Sequence, residues 1–348
     1  MKKSLTRLLQ ALGFRIDKSD NFAYTCHVKF SNLPKDNRLS EIERLAKHGL
    51  EQSAELYLET AVSRGAFRMD EVDKVKNYLS GSLGRLVLKN SNNDSFYGSY
   101  TRDVKKASNS TMHLYVPDFE IFRQELSDIT NDDTCELQRL VTHEIAHIPQ
   151  KLRYGSVLLS KKEKKVHVLY GNTMHEFCAA MMSIFTSFDN FKKQDAKNPK
   201  LFLFSQPSDM LQKNCLELSP VHDGITQTSS ATSSCSGAVL LMLQFMSTVG
   251  MSAGEFYRAT THFGDDEFSH LEHECKSRLG IDLKTFFSSL DWSLNKDLPL
   301  EALSAEERNN EINRISEFVP ENLSISNLLG IDKSQIMLDE SLEELISS

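Results

Sequence analysis

The stretch LQRLVTHEIAHIPQ, residues 137 to 150, carries two histidines four positions apart, with a glutamate directly after the first. On an α-helix, residues i and i+4 share one face about a turn apart, so His143 and His147 can offer their imidazoles to a single ion. The flanking Val141, Ile145, Ala146 and Ile148 are uncharged, which predicts a buried helix. Three ionisable groups on such a helix are costly to desolvate unless a metal or hydrogen-bonding partners compensate. The plain alternative is a core helix whose histidines are satisfied by hydrogen bonds alone.

Zinc supports hydrolysis when three protein groups hold it and a fourth position is left for water, whose pKa then falls toward neutrality. Glu144 is placed to reach that water rather than the ion. It would take the water's proton and later hand it to the leaving amine. Pro149 sets a limit on the helix, because its ring would clash with the carbonyl of Ile145. The helix is therefore expected to end or kink just past His147, with both histidines before the break.

VTHEIAHI, residues 141 to 148, resembles the active-site helix of the zincin metallopeptidases. The resemblance is strong over this helix and loose elsewhere. It implies an α+β zincin-like fold, one Zn2+ per chain, His143 and His147 as ligands, and Glu144 as general base. Gln150 stands where the metzincin pattern requires glycine, which excludes that subclass.

A glutamate on a later helix, as in gluzincins, remains as third ligand. Glu176 in NTMHEFCAAMMSIF fits, and the small pair Ala179 and Ala180 would let its helix approach the first closely. Its alternative is an acid in a helix's first turn, stabilised by the dipole alone. Other ligand candidates are His175 and the pair His222 and Asp223 in SPVHDGI. The donor for a developing oxyanion is assigned to Tyr170, with Tyr154, His262, His270 and His273 also open.

Around this centre the chain mixes both element types. FAYTCHVKF (22 to 30) alternates like a strand, and Ser40 precedes a long helical pattern that reaches Ser63. Residues 83 to 117 read as two or three strands, 118 to 128 and 134 to 148 as helices, 156 to 171 as a charged hairpin, and 172 to 187 as an apolar-faced helix. A Ser/Thr-rich loop spans 223 to 236, followed by helices to about residue 290. STMHLYV (110 to 116) is a candidate edge strand for holding substrate, or else an internal strand.

This gives a metallopeptidase domain over 1–295, with an N-lobe of helices and a small sheet to about 150 and a helical C-lobe over 151–295. An acidic helical tail over 296–348 is expected to be solvated.

Composition narrows the function further. A net charge of -8 and a pI near 5.8 provide no field to concentrate polyanions, which argues against nucleic acid as a partner. GAVLLMLQFMSTVGM (237 to 251) is short and interrupted by Gln244, Ser247 and Thr248, so no membrane span is expected. Thr6, Arg7 and Gln10 interrupt any apolar signal core at the N-terminus, and six widely spread cysteines suit a reducing, cytoplasmic-type compartment. The acidic C-terminal stretch resembles the secretion signals of bacterial effectors delivered by specialised machines, which implies an effector acting in another cell.

The expectation is a monomeric zinc-dependent endopeptidase that hydrolyses peptide bonds of a protein substrate. Its rival is a non-catalytic interaction protein with a structural zinc or no metal.

Overall fold

The computed structural model describes residues 25–29, 39–91, 97–103, 105–117, 136–151, 170–193, 199–206, 213–219, 221–222, 225–226, 239–284, 286 and 324–338. Its architecture is mixed α+β, with helices predominating over a small sheet. The expected helix at 118–128 and the tip of the expected hairpin lie outside these residues.

The main sheet holds β1 (Thr25–Lys29), β2 (Arg85–Asn90), β3 (Tyr97–Thr101) and β4 (Thr111–Val116) in the order β1-β2-β4-β3. β1, β2 and β4 run parallel, and β3 pairs antiparallel with β4 through Gly98↔Leu114 and Tyr100↔Met112. The strand period explains which face is covered: Met112, Leu114 and Val116 are buried, whereas Thr111, His113 and Tyr115 between them are half-buried. STMHLYV is thus internal, and the edge strand beside it is β3.

Helices cover the buried face. α1 (Leu39–Ser63) turns Leu50, Ala54, Tyr57, Leu58 and Ala61 inward at three- and four-residue spacing, as an amphipathic helix does. α2 (Val72–Gly81) leads into β2, and α3 (Glu136–His147) carries the histidine pair. Against α3 packs α4 (Tyr170–Lys193), whose Phe177, Met181, Phe185 and Phe188 are buried. α4 starts two residues before the expected helix and continues six beyond it.

α5 (Val239–Val249), α6 (Ala253–Ala259) and α7 (Asp265–Leu279) complete the helical side, matching the helices expected after the Ser/Thr-rich loop. α6 begins with a capping box in which Ser252 and Glu255 satisfy each other's backbone N–H groups.

Within the expected acidic helical tail, the described residues 324–338 form a short helix, a 3-10 turn and a strand rather than one solvated helix. α8 (Ile325–Leu329) buries Ile325 and Leu329, and β9 (Ile336–Leu338) adds parallel to β5 (Lys200–Gln206), which also pairs with β6 (Lys213–Ser219). Arg64 on the α1 side donates to the carbonyls of Leu329 and Gly330 at 2.7 and 3.1 Å and pairs with Asp189. The acids that dominate the tail's composition are sparse between 324 and 338, where only Asp332 occurs, so the apolar residues there are free to pack. The β5–β6 hairpin had no counterpart in the sequence reading.

Candidate metal centre

Helix α3 presents His143 and His147 one turn apart, with ring centroids 4.7 Å apart and the rings nearly perpendicular. The two Nε2 atoms lie 3.1 Å from each other. Glu176, seventh residue of α4, reaches both, with Oε2 3.3 Å from His143 Nε2 and Oε1 3.5 Å from His147 Nε2. Among the described residues these three form the one cluster with metal-ligand geometry.

Those separations bear on which ion fits. Four ligands held tetrahedrally by bonds of about 2.0 to 2.1 Å lie about 3.3 Å from one another. The His143–His147 separation lies near that edge, and the carboxylate meets each imidazole with a different oxygen at a similar distance, so the three side chains stand close enough to share one ion. Two imidazole nitrogens and one carboxylate are also a donor set that zinc accepts.

Charge follows the same geometry. Although burial alone would favour neutral His147, the nearby carboxylate of Glu176 wins and raises its pKa to about 9. Burial would likewise raise Glu176, and the two imidazoles outweigh it, holding the carboxyl well below the usual range. An anionic Glu176 is the form able to serve as a ligand.

Glu144 lies on the flank of the helix next to the histidine pair, about 60° to 100° around the axis from them, only 3% exposed, and burial pushes its pKa up. It lies beneath edge strand β3, whose Tyr100 backbone N–H donates to it. A Cβ on Gly98 would come within 2.7 Å of Glu144 Oε1, so glycine is what lets the strand pass this close. Oε2 of Glu144 is buried with no hydrogen-bond partner. A lone buried carboxylate oxygen is costly unless something occupies its other side, which suits a base facing a water.

The end of α3 is built around Pro149, and the helix stops at His147 as its sequence requires. Ile145 O accepts from Ile148 N at 3.0 Å, and Gln150 N turns to His147 O at 3.2 Å, which leaves Ala146 O without a helical partner. The Tyr257 hydroxyl from α6 takes that carbonyl at 2.7 Å, and Tyr57 from α1 lies 2.5 Å from the Tyr257 hydroxyl. Tyr257 donates to Ala146, so Tyr57 is the donor to Tyr257.

The remaining candidates separate clearly. His175 is buried beside Glu176 but outside the ligand cluster, and its carbonyl is engaged by Gln150. A closed four-ligand site with His175 is therefore not formed. His222 lies in the short strand β7 (Val221–His222), which pairs with β8 (Ile225–Thr226), and Asp223 and Tyr154 fall outside the described residues. Tyr170 is the first residue of α4, about 9 Å of helix axis before Glu176.

His262 is 2.6 Å from Arg102 Nη1 and packs on Tyr78; His270 and His273 are exposed on α7. Sequence reasoning passed over Gly98 and Tyr257, and registered Gln150 only as an absent glycine. Gly98 had a signal available, a glycine inside a strand pattern, which marks close backbone approach.

Of the thiols described, Cys26, Cys178 and Cys275 are free, and burial pushes all three up, Cys26 to about 12 and Cys275 to about 11. None belongs to the metal cluster. Among the described residues no helix is long and apolar enough to cross a membrane. No family model, curated protein or solved structure matches this chain, so any functional reading rests on the centre itself.

Proposed function

We propose that the protein is a zinc-dependent endopeptidase of zincin type, acting on an extended segment of a protein substrate. The observation that carries this reading is the trio His143, His147 and Glu176, with donor separations of 3.1 to 3.5 Å, beside the unpartnered Glu144 Oε2. Zinc, when bound there, supplies Lewis acidity and lowers the pKa of a water molecule.

The chain's own groups do the rest. Glu144, with a pKa raised by burial, is suited to take a proton from water and deliver it to the leaving amine. Edge strand β3 passes directly over Glu144, and among the described residues it pairs only with β4. Its free side offers main-chain hydrogen bonds to a peptide added as a further strand, which favours peptide over other amide substrates. Tyr170, on the helix that carries Glu176, is assigned as donor to the oxyanion.

The test is digestion of unfolded casein by protein purified without chelator, compared with Glu144→Gln and Tyr170→Phe. Cleavage by the wild type that disappears in Glu144→Gln while zinc is retained supports the reading. Undiminished cleavage in Glu144→Gln contradicts it, and an unchanged kcat in Tyr170→Phe moves the oxyanion role to another residue.

A further inference from the structure

Gln150 follows the proline that ends the metal-binding helix, and every part of it is engaged. Its N–H bonds to His147 O, its carbonyl accepts from Arg102 Nη1 at 3.1 Å, and it forms a bridge with Thr261. Its side-chain Nε2 lies 2.9 Å from His175 O and 3.3 Å from Thr260 Oγ1, while Oε1 lies 2.7 Å from His147 Nδ1. The residue is 5% exposed.

The orientation of the amide follows from its partners. A backbone carbonyl can only accept, so His175 O requires the NH2 end of Gln150. The Thr260 hydroxyl donates to Tyr257 O at 2.7 Å, so toward Gln150 it also accepts. Both partners on this side demand the amino group, which leaves the carbonyl oxygen facing His147. An oxygen there needs a proton on Nδ1.

We propose that Gln150 is the positioning residue of the metal centre. It fixes His147 with its proton on Nδ1 and thereby leaves Nε2 to face Glu176 and the ion. Partners of this kind on a ligand histidine set its tautomer and ring orientation. Here the partner is an uncharged amide whose direction is dictated by α4 and by the segment after α6. The same residue ties the end of α3 to the residue after β3 through Arg102, so the sheet side, α4 and the segment after α6 all converge on one imidazole. The consequence for metal rests on the zinc reading above, whereas the position of the proton does not.

The test uses two readouts on the full chain. First, long-range proton–nitrogen NMR of zinc-free, 15N-histidine-labelled protein, recorded above the His147 pKa of about 9 so that the ring is neutral, should show His147 protonated at Nδ1 and bare at Nε2, with that proton protected from solvent exchange. The resonance is assigned by its loss in His147→Ala. Gln150→Met should expose the proton to exchange, and Gln150→Glu, which keeps an acceptor, should restore protection.

Second, zinc affinity by chelator competition should fall about ten- to a hundredfold in Gln150→Met and less in Gln150→Glu. A wild-type His147 with a bare Nδ1 overturns the proposal even if neither variant folds, as does Gln150→Met with unchanged exchange and affinity. Wild type that shows the protected Nδ1 proton but binds no zinc leaves the positioning intact and overturns the peptidase reading instead.

Discussion

Gly98 and Glu144 are in contact across the strand-to-helix interface, and a Cβ on Gly98 would stand 2.7 Å from Glu144 Oε1 and 2.8 Å from Leu140 Cδ1. The glycine therefore sets how near the open edge of the sheet comes to the candidate base. Gly98→Ala must shift either β3 or the Glu144 side chain. The expected outcome is a kcat lower by about one to two orders of magnitude, in line with the sensitivity of such geometry to small displacements, with zinc content unchanged. A full-rate Gly98→Ala enzyme would show that the approach of β3 to Glu144 has no catalytic role.

Tyr257 closes the break that Pro149 makes in α3. Tyr257→Phe removes the donor to Ala146 O and the acceptor for Tyr57, leaving two buried polar groups unsatisfied. Stability should fall by about 1 to 3 kcal/mol for each group so stranded. Zinc affinity should fall too, because His147 follows Ala146 directly. Urea titration and chelator competition on the same variant measure both effects.

The ion pair behind α6 sets an acid limit. Arg258, 4% exposed, holds both Glu71 oxygens at 2.6 and 2.9 Å and reaches Glu267 at 2.7 Å. The guanidinium holds the Glu71 carboxyl below the usual carboxylate range against the opposing effect of burial. A carboxyl depressed in the folded state contributes its full stabilisation above the unfolded value, and loses it as pH falls through the folded one. In zinc-free protein, the urea midpoint should drop more steeply for wild type than for Glu71→Gln as pH falls below the ordinary glutamate value toward the depressed folded one. Parallel pH profiles would remove Glu71 as the cause.

How much of this was legible in the sequence depends on how local the signal was. The α3 helix, the facing of its two histidines and its end at Pro149 follow from spacing within a dozen residues, and the approach of Glu176 to them followed from a helix pattern with small residues beside it. The C-terminal packing was obscured because the tail's acids set its average character, while Ile325, Leu329 and Ile331 carry the contacts. Which strand is the edge is a property of the sheet order: STMHLYV and YGSYT look alike until pairing places β4 inside and β3 outside. Gln150 and Tyr257 act through partners distant in sequence, Thr260 and Tyr57 among them, and such pairings leave no local pattern.

The central claim is that α3 and α4 together hold a zinc ion, and metal content tests it most directly. Protein purified without chelator or affinity metal should contain about one zinc per chain by elemental mass spectrometry, as three ligands with one open position imply. His143→Ala/His147→Ala should contain none, and Glu176→Ala should lose it to a mild chelator that wild type resists. Folded wild type without zinc, and with no uptake when zinc is supplied, would contradict the account and return His143 and His147 to an ordinary buried pair.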